Sequence, residues 1–317
     1  MHINIKDMTE GMSVTGFYVL RDFATQKSKG GKDYIKASIS DSSDTVVAMC
    51  WDTKGNYNVT HEDIGKVVKV AGIMNSFNGA PQFVIEQLRN VTEGDADKYD
   101  ASDLAKVAPI DIDATKQDIE TLIESIQDDG YKKFAQALFS SRLDDFLYYP
   151  AGKSVHHGFK SGLLMHTRNM MVLADFIAQM YPDIINRDLL ICGTLGHDIA
   201  KIEEFDVNEL MMVKDYSRPG QLLGHLYMGA KYACSIADKV GLDPEKSELI
   251  QHLILSHHGS EEMGSPVTPK CSEAEALHLI DMMDSRMEIY AEEYEDLQNG
   301  QFSQKSNWAL SHKIFKP

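Results

Sequence analysis

Cysteine is scarce in this 317-residue chain: there are four, and no two form a C-x-x-C pair. That excludes a zinc ribbon and a disulfide framework, and Cys50, Cys192, Cys234 and Cys271 read as reduced, small hydrophobes. No apolar run approaches the roughly 18 residues of a membrane span, so no membrane partner is expected. The opening MHINIKDMTEGM lacks the basic-then-apolar layout of an export leader, which makes the cytoplasm the expected location. The absence of a G-x-S-x-G motif removes the serine-hydrolase elbow, and no internal repeat or low-complexity tract is present. Positive charge is also short, with 31 Lys and Arg against 48 Asp and Glu and a net charge of −17. The whole deficit lies in residues 93–317; residues 1–92 are balanced, ten against ten. A body of that sign holds a polyanion only where metal ions or a local basic loop supply positive potential.

Histidine is plentiful where basic residues are not. Nine of the 12 histidines fall between 156 and 278, several inside apolar, helix-patterned stretches. His166 shares a stripe with Met170 and Leu173, His197-Asp198 sits in the Leu- and Ile-rich segment 189–202, and Asp281 follows Leu277 by one turn. His225 follows Gly224 at a helix start, and His257-His258 end a helix just before Gly259. Burying so many imidazoles and carboxylates needs an offset to their desolvation, and a divalent metal centre supplies one. Lys201, four residues after His197, is expected on the same helical face. His2, His61, His252, His278 and His312 read as ordinary hydrogen-bonded or exposed residues.

The chain divides by pattern. Residues 1–92 read as β: Ile35, Ala37 and Ile39 alternate with polar neighbours, and 13–21, 45–51, 67–74 and 82–88 supply four further candidate strands. Asn78-Gly79 is a hairpin signal between the last two. Five strands in this length fit an OB-type barrel. Residues 93–112 are acidic and turn-rich and read as a linker closed by Pro109. Helical periodicity then runs over 113–300, with Asp243-Pro244-Glu245 a helix start and Ser272 to Glu275 of capping-box form, while 301–317 reads as a docking tail carrying Phe302, Trp308 and Phe315. The expected fold class is multi-domain, an all-β barrel followed by an all-α domain.

The order His…His-Asp…His…His-His…Asp resembles the HD superfamily of metal-dependent phosphohydrolases, in its two-metal form. The surroundings (His156-His157-Gly158, Gly162 to His166, Leu195 to Glu204, Leu223-Gly224-His225, Ile254 to Gly259, Glu273 to Asp281) resemble the YhaM-type 3′→5′ exoribonucleases, a family with an N-terminal OB domain. The resemblance implies that His166, His197, Asp198 and Asp281 hold one metal. It implies that Asp198 bridges to a second metal held by His225 and His257, with His258 a ligand or a substrate contact. Lys201 then faces the scissile phosphate, and His156 and His157 stand on the substrate side. Two divalent ions are the implied cofactors, and the mixed imidazole and carboxylate ligand type makes Mn²⁺ the expected metal.

Between the first two strands, residues 26–32 carry Lys27, Lys29 and Lys32 around a Gly-Gly pair, a loop position that contacts oligonucleotides in OB barrels. Tyr34, Trp51, Phe77 and Phe83 are candidate stacking platforms. The leading expectation is a metal-dependent 3′→5′ exoribonuclease acting on single-stranded RNA, with single-stranded DNA and a homo-oligomer left open. The alternatives are a phosphohydrolase of small or cyclic dinucleotides with a regulatory barrel, or a non-catalytic nucleic-acid-binding factor. Complete ligands plus Lys201 weigh against the last.

Overall fold

The structure, a computed structural model, describes residues 2–28, 30–51, 57–77, 79–153, 157–295 and 297–317. Lys29, Asn78 and His156 lie outside the described residues. The chain forms two compact units, residues 1–107 with 207–212, and residues 108–206 with 213–317.

Five strands close the first unit into a barrel of order β1-β2-β3-β5-β4: β1 Ser13–Lys27, β2 Asp33–Ser40, β3 Thr45–Cys50, β4 Val67–Phe77 and β5 Ala80–Asn90. Closure depends on the long β1. Its first half pairs antiparallel with β4 and its second half with β2, and a register shift between Leu20 and Asp22 bends it. The parallel pairing of β3 with β5 completes the ring. Period-two alternation sends Ile35, Ala37 and Ile39 inward with Tyr18, Leu20 and Leu88. Phe83 points the same way and is fully buried, so it is core and cannot stack on a base.

The acidic stretch after the barrel is ordered rather than a free linker. Thr92 and Asp95 form a capping box, Arg89 grips Asp95 through two nitrogens at 2.7 and 3.1 Å, and α1 (Ala101–Leu104) follows. Leu104 and Ala105 pack on Phe17, Val19 and Val67 outside the barrel, and Leu210 of the returning segment 207–212 joins them.

The second unit is helical: α2 Ile112–Glu124, α3 Asp129–Ser141, α4 Leu143–Phe146, α5 Gly162–Met180, α6 Arg187–Gly196, α7 Lys201–Glu204, α8 Arg218–Val240, α9 Pro244–Ser256 and α10 Ser272–Glu295. Side chains of Asp111, Asp128, Asn186, Ser217 and Asp243 cap α2, α3, α6, α8 and α9 by accepting orphan N–H groups. Helix α10 packs against α5, α6 and α9 over a core that includes Phe134, Leu138, Leu164, Leu190, Leu253 and Leu277. Ser272 does not form the capping box its sequence suggests. Its hydroxyl donates to the Ile184 carbonyl, and Glu273 accepts from Asn186 N at 2.6 Å, tying α10 to the start of α6. The tail folds on itself through a short strand pair, Gln301–Phe302 with Phe315–Lys316, and docks at the end of α10, where Lys316 Nζ donates to the Tyr294 and Leu297 carbonyls. Among the described residues no helix is long and apolar enough to cross a membrane.

One barrel position has no room for a side chain. A Cβ on Gly72, at the β4–β5 register shift, would meet the Val84 carbonyl at 2.2 Å and the Phe83 ring at 2.6 Å. Gly72→Ala is therefore expected to destabilise the barrel by about 1–3 kcal/mol, seen as a lower urea midpoint by circular dichroism. An unchanged midpoint would refute the close packing.

Candidate metal centre

Five helices deliver the donors. His166 lies in the second turn of α5, His197 and Asp198 in the turn after α6, His225 in α8, His257 at the cap of α9, and Asp281 on α10. The path from α6 to α7 matters. Periodicity alone runs a continuous helical face from His197 to Lys201, but α6 stops at Gly196 and residues 197–200 form a turn. Across that turn Lys201 Nζ lies 2.6 Å from Asp198 Oδ2, the oxygen that also faces His197. In α8 the helix breaks at Gly224, whose φ of 70° suits glycine, and a new helical stretch opens at His225.

Each imidazole is held by its Nδ1, assigned as the N–H because its partner is an acceptor. His197 donates to the Thr194 carbonyl at 2.7 Å and His257 to the Ile254 carbonyl at 2.8 Å. Both are carbonyls three residues back at a helix C-terminus, where such groups lack intrahelical partners. His166 donates to Asp284 Oδ2 at 2.7 Å, and His225 donates both its backbone N–H and its ring N–H to Glu204 Oε1, at 3.0 and 2.9 Å. All four Nε2 atoms are thereby turned toward one carboxylate. Asp198 Oδ2 faces the Nε2 of His197 at 3.3 Å and of His166 at 3.7 Å. Oδ1 faces that of His225 at 3.6 Å and of His257 at 3.8 Å. Asp281 Oδ1 lies 3.4 Å from His166 Nε2.

These separations from Asp198 Oδ1 are too long for hydrogen bonds but suit donors that share a cation, given metal–ligand distances of roughly 2.0–2.2 Å. The fit has an independent sign. Asp198 Oδ1 and His225 Nε2 are buried and have no hydrogen-bond partner among the described residues, an expensive state that a divalent ion relieves. The donor atoms fall into three groups, His166 with His197 and Asp198, His225 with His257 and His258, and His157 with His166 and Asp284, the first and last sharing His166.

Electrostatics follow the same plan. Burial resists ionisation of Asp198, yet Lys201 and the surrounding histidines hold its carboxyl well below the usual carboxylate range. Burial likewise opposes the charge on Lys201, and Asp198 outweighs it, raising the ammonium's pKa. Burial pushes His257 well below the ordinary histidine value, aided by His197 and His258, and leaves it neutral as a ligand must be. His166 goes the other way. Burial would lower it, but Asp281 and Asp284 prevail and raise it to about 9.

His258 is half-buried, with Nδ1 donating to the Met263 carbonyl at 3.0 Å and its ring beside His225 and His257. His157 is 1% exposed, and its Nε2 lies 2.8 Å from Asp284 Oδ2, on the Nδ1 side of His166 rather than at an open face. Asp284 and Glu204 were not anticipated. Both stand three residues beyond a recognised residue, Asp281 and Lys201, so helical spacing was the available signal. Among the barrel residues, Lys27 and Lys32 are exposed where β1 ends and β2 begins, and the Tyr34 and Trp51 rings lie 5.1 Å apart. Trp51 is 55% and Phe77 61% exposed.

Because Asp284 accepts from His166 Nδ1 and so orients its ring, Asp284→Ala is expected to weaken divalent-metal binding about 10- to 100-fold with helix content unchanged. Isothermal titration calorimetry beside circular dichroism checks this; wild-type affinity would reduce the contact to packing.

Residues 163–286 match the family model described as HD domain, a span that contains every donor named above. The 3′-5′ exoribonuclease YhaM of Listeria monocytogenes serovar 1/2a is 30% identical over 317 residues, covering 100% of this chain and 99% of that protein. The protein of the same name from Bacillus subtilis strain 168 is 30% identical over 307 residues, covering 97% and 96%. Among solved structures, the second OB-fold domain of replication protein A from Methanococcus maripaludis is 12% identical and covers 29% of this chain and 97% of its own, at a TM-score of 0.24. Similar from end to end to these relatives, and carrying the HD donor set on a helical unit that follows a five-stranded barrel in the chain, the chain belongs to the YhaM family of 3′-5′ exoribonucleases.

Proposed function

We propose that this protein is a metal-dependent 3′→5′ exoribonuclease that shortens single-stranded RNA to nucleoside monophosphates at a dinuclear centre. The observation that carries the reading is Asp198, whose two oxygens each face a separate pair of imidazole Nε2 atoms. His166, His197, Asp198 and Asp281 would hold one cation and His225, His257 and Asp198 the other, with His258 beside the second as ligand or substrate contact. The mixed imidazole and carboxylate set favours Mn²⁺. Bound divalent cations supply Lewis-acid charge that acidifies a water and clamps the attacking and leaving oxygens of an in-line displacement.

The protein's own groups do the rest. Lys201 is fixed by Asp198 with its ammonium at the donor cluster, where it neutralises charge that builds on the non-bridging phosphate oxygens. Asp284 and Glu204 hold His166 and His225 in the ligand tautomer. In the barrel unit, Lys27, Lys29 and Lys32 track the phosphate backbone while Tyr34, Trp51 and Phe77 offer faces for bases. Four free cysteines suit the reducing cytoplasm.

Metal-loaded protein given 5′-labelled single-stranded RNA is expected to yield a ladder receding from the 3′ end. In that assay Asp198→Ala abolishes cleavage and lowers bound metal, whereas Lys201→Ala keeps the metal and loses about 10²–10³ in turnover. Cleavage of cyclic dinucleotides with RNA left intact would transfer the assignment to small nucleotides, and an active, fully metallated Asp198→Ala would refute the bridging carboxylate.

Replacing Lys27, Lys29 and Lys32 together by alanine is expected to raise KM for long RNA and spare a dinucleotide. It should also flatten the log–log salt dependence by about 0.7 per lost contact. Unchanged KM and salt slope would remove the loop from substrate handling.

A further inference from the structure

A cavity of about 670 Å³ opens beside the donor cluster, between α10, the His258–Met263 turn and the C-terminal tail. Its size falls within the roughly 300–1,000 Å³ of small-ligand sites. His258, Asp281, Arg286 and Ile289 line it, and Trp308 of the tail contributes an aromatic wall. The indole is 72% exposed, and the backbone on either side of it is tied to α10. Asn307 donates from Nδ2 to Glu293 Oε1 at 2.9 Å, and its side-chain oxygen accepts the N–H groups of Ala309 and Leu310 at 3.0 and 3.2 Å. The Asn307 N–H bonds the His312 carbonyl at 2.9 Å, while the His312 ring meets the Tyr290 hydroxyl at 3.3 Å. The fold thus presents a large aromatic face to water on a backbone tied to α10. Arg286 adds a guanidinium that has no ion-pair partner among the described residues, on a chain whose net charge is −17.

We propose that this cavity is the subsite for the terminal nucleotide, with the phosphate at the Asp281 and His258 end and the base stacked on Trp308. The inference rests on the exoribonuclease reading for its polymer, but the binding it describes is that of a nucleoside 5′-monophosphate. Asp281 and Arg286 are five residues apart on α10, about 7.5 Å of helix rise. Both line the same cavity, so with the phosphate at Asp281 the Arg286 guanidinium is the group available to donate to the ribose hydroxyls. Base stacking tolerates every base, because each has a π face, and so suits an enzyme that must accept whatever nucleotide stands at the end. A hydrophobic slot cut to one base would not.

The chain has only two tryptophans, Trp51 and Trp308, so Trp51→Phe leaves Trp308 as the sole indole reporter. Adding adenosine 5′-monophosphate to this variant with Mn²⁺ present should quench its fluorescence saturably, and Arg286→Ala should shift the midpoint upward. On long RNA, Trp308→Ala in the full chain should raise KM about tenfold with kcat little changed, and Trp308→Phe should restore most of the loss, which a packing role would not do. Absence of saturable quenching together with an unchanged KM for Trp308→Ala overturns the proposal. The two readings fail separately. Saturable quenching in a protein that shortens no RNA keeps the nucleotide subsite and removes the exoribonuclease assignment. Normal RNA shortening with neither quenching nor a KM effect removes the subsite alone.

Discussion

One buried carboxylate organises the helical unit. Asp198 sits in a turn between two helices, almost wholly removed from water, with an imidazole pair on each oxygen and the Lys201 ammonium at 2.6 Å. An ionised carboxylate there carries a large desolvation penalty, met in part by the lysine and left open at Oδ1, which has no hydrogen-bond partner among the described residues. The geometry around it is therefore incomplete as a hydrogen-bonded network and complete as a ligand set. That distinction separates a metal centre from a buried salt-bridge cluster, in which every acceptor would have found a donor.

The helices serve this carboxylate by ending at it. Stopping α6 at Gly196 and α9 at Ser256 leaves carbonyls that the His197 and His257 rings can bond through Nδ1, and it places two negative helix termini beside the proposed cation sites. Where no carbonyl is available, a carboxylate takes its place, Asp284 for His166 and Glu204 for His225. Four rings are locked by four different partners into the same tautomer. The break at Gly224 allows this for His225, since its own N–H and its ring N–H both reach a single Glu204 oxygen.

Much of the architecture was legible before any coordinates, for reasons that particular residues make plain. Ile35, Ala37 and Ile39 announce a strand because period-two burial leaves an audible alternation, and the His-Asp series announces a metal centre because apolar helices do not otherwise accumulate imidazoles. Other features are set by partners distant in sequence, which a local pattern cannot name. Phe83 and Phe77 look alike as strand aromatics, and only the register of β5 and β4 decides that one is core and the other exposed. The acidic stretch after residue 92 reads as a linker until Arg89 is seen gripping Asp95. His157 lacks an apolar stripe yet is buried, because its partner Asp284 lies more than a hundred residues away. Spacing from His197 indicates the side on which Lys201 stands, but not that its ammonium is held by Asp198 at 2.6 Å.

The central claim is that the two oxygens of Asp198 serve two different cations. Electron paramagnetic resonance of the chelator-stripped protein during Mn²⁺ titration tests this directly, because two ions sharing a carboxylate are spin-coupled and isolated ions are not. The expected result is uptake of two Mn²⁺ per chain, with the isolated-ion spectrum giving way to a coupled one as the second equivalent binds. Saturation at one ion per chain, or two ions whose spectra stay uncoupled, would contradict the account.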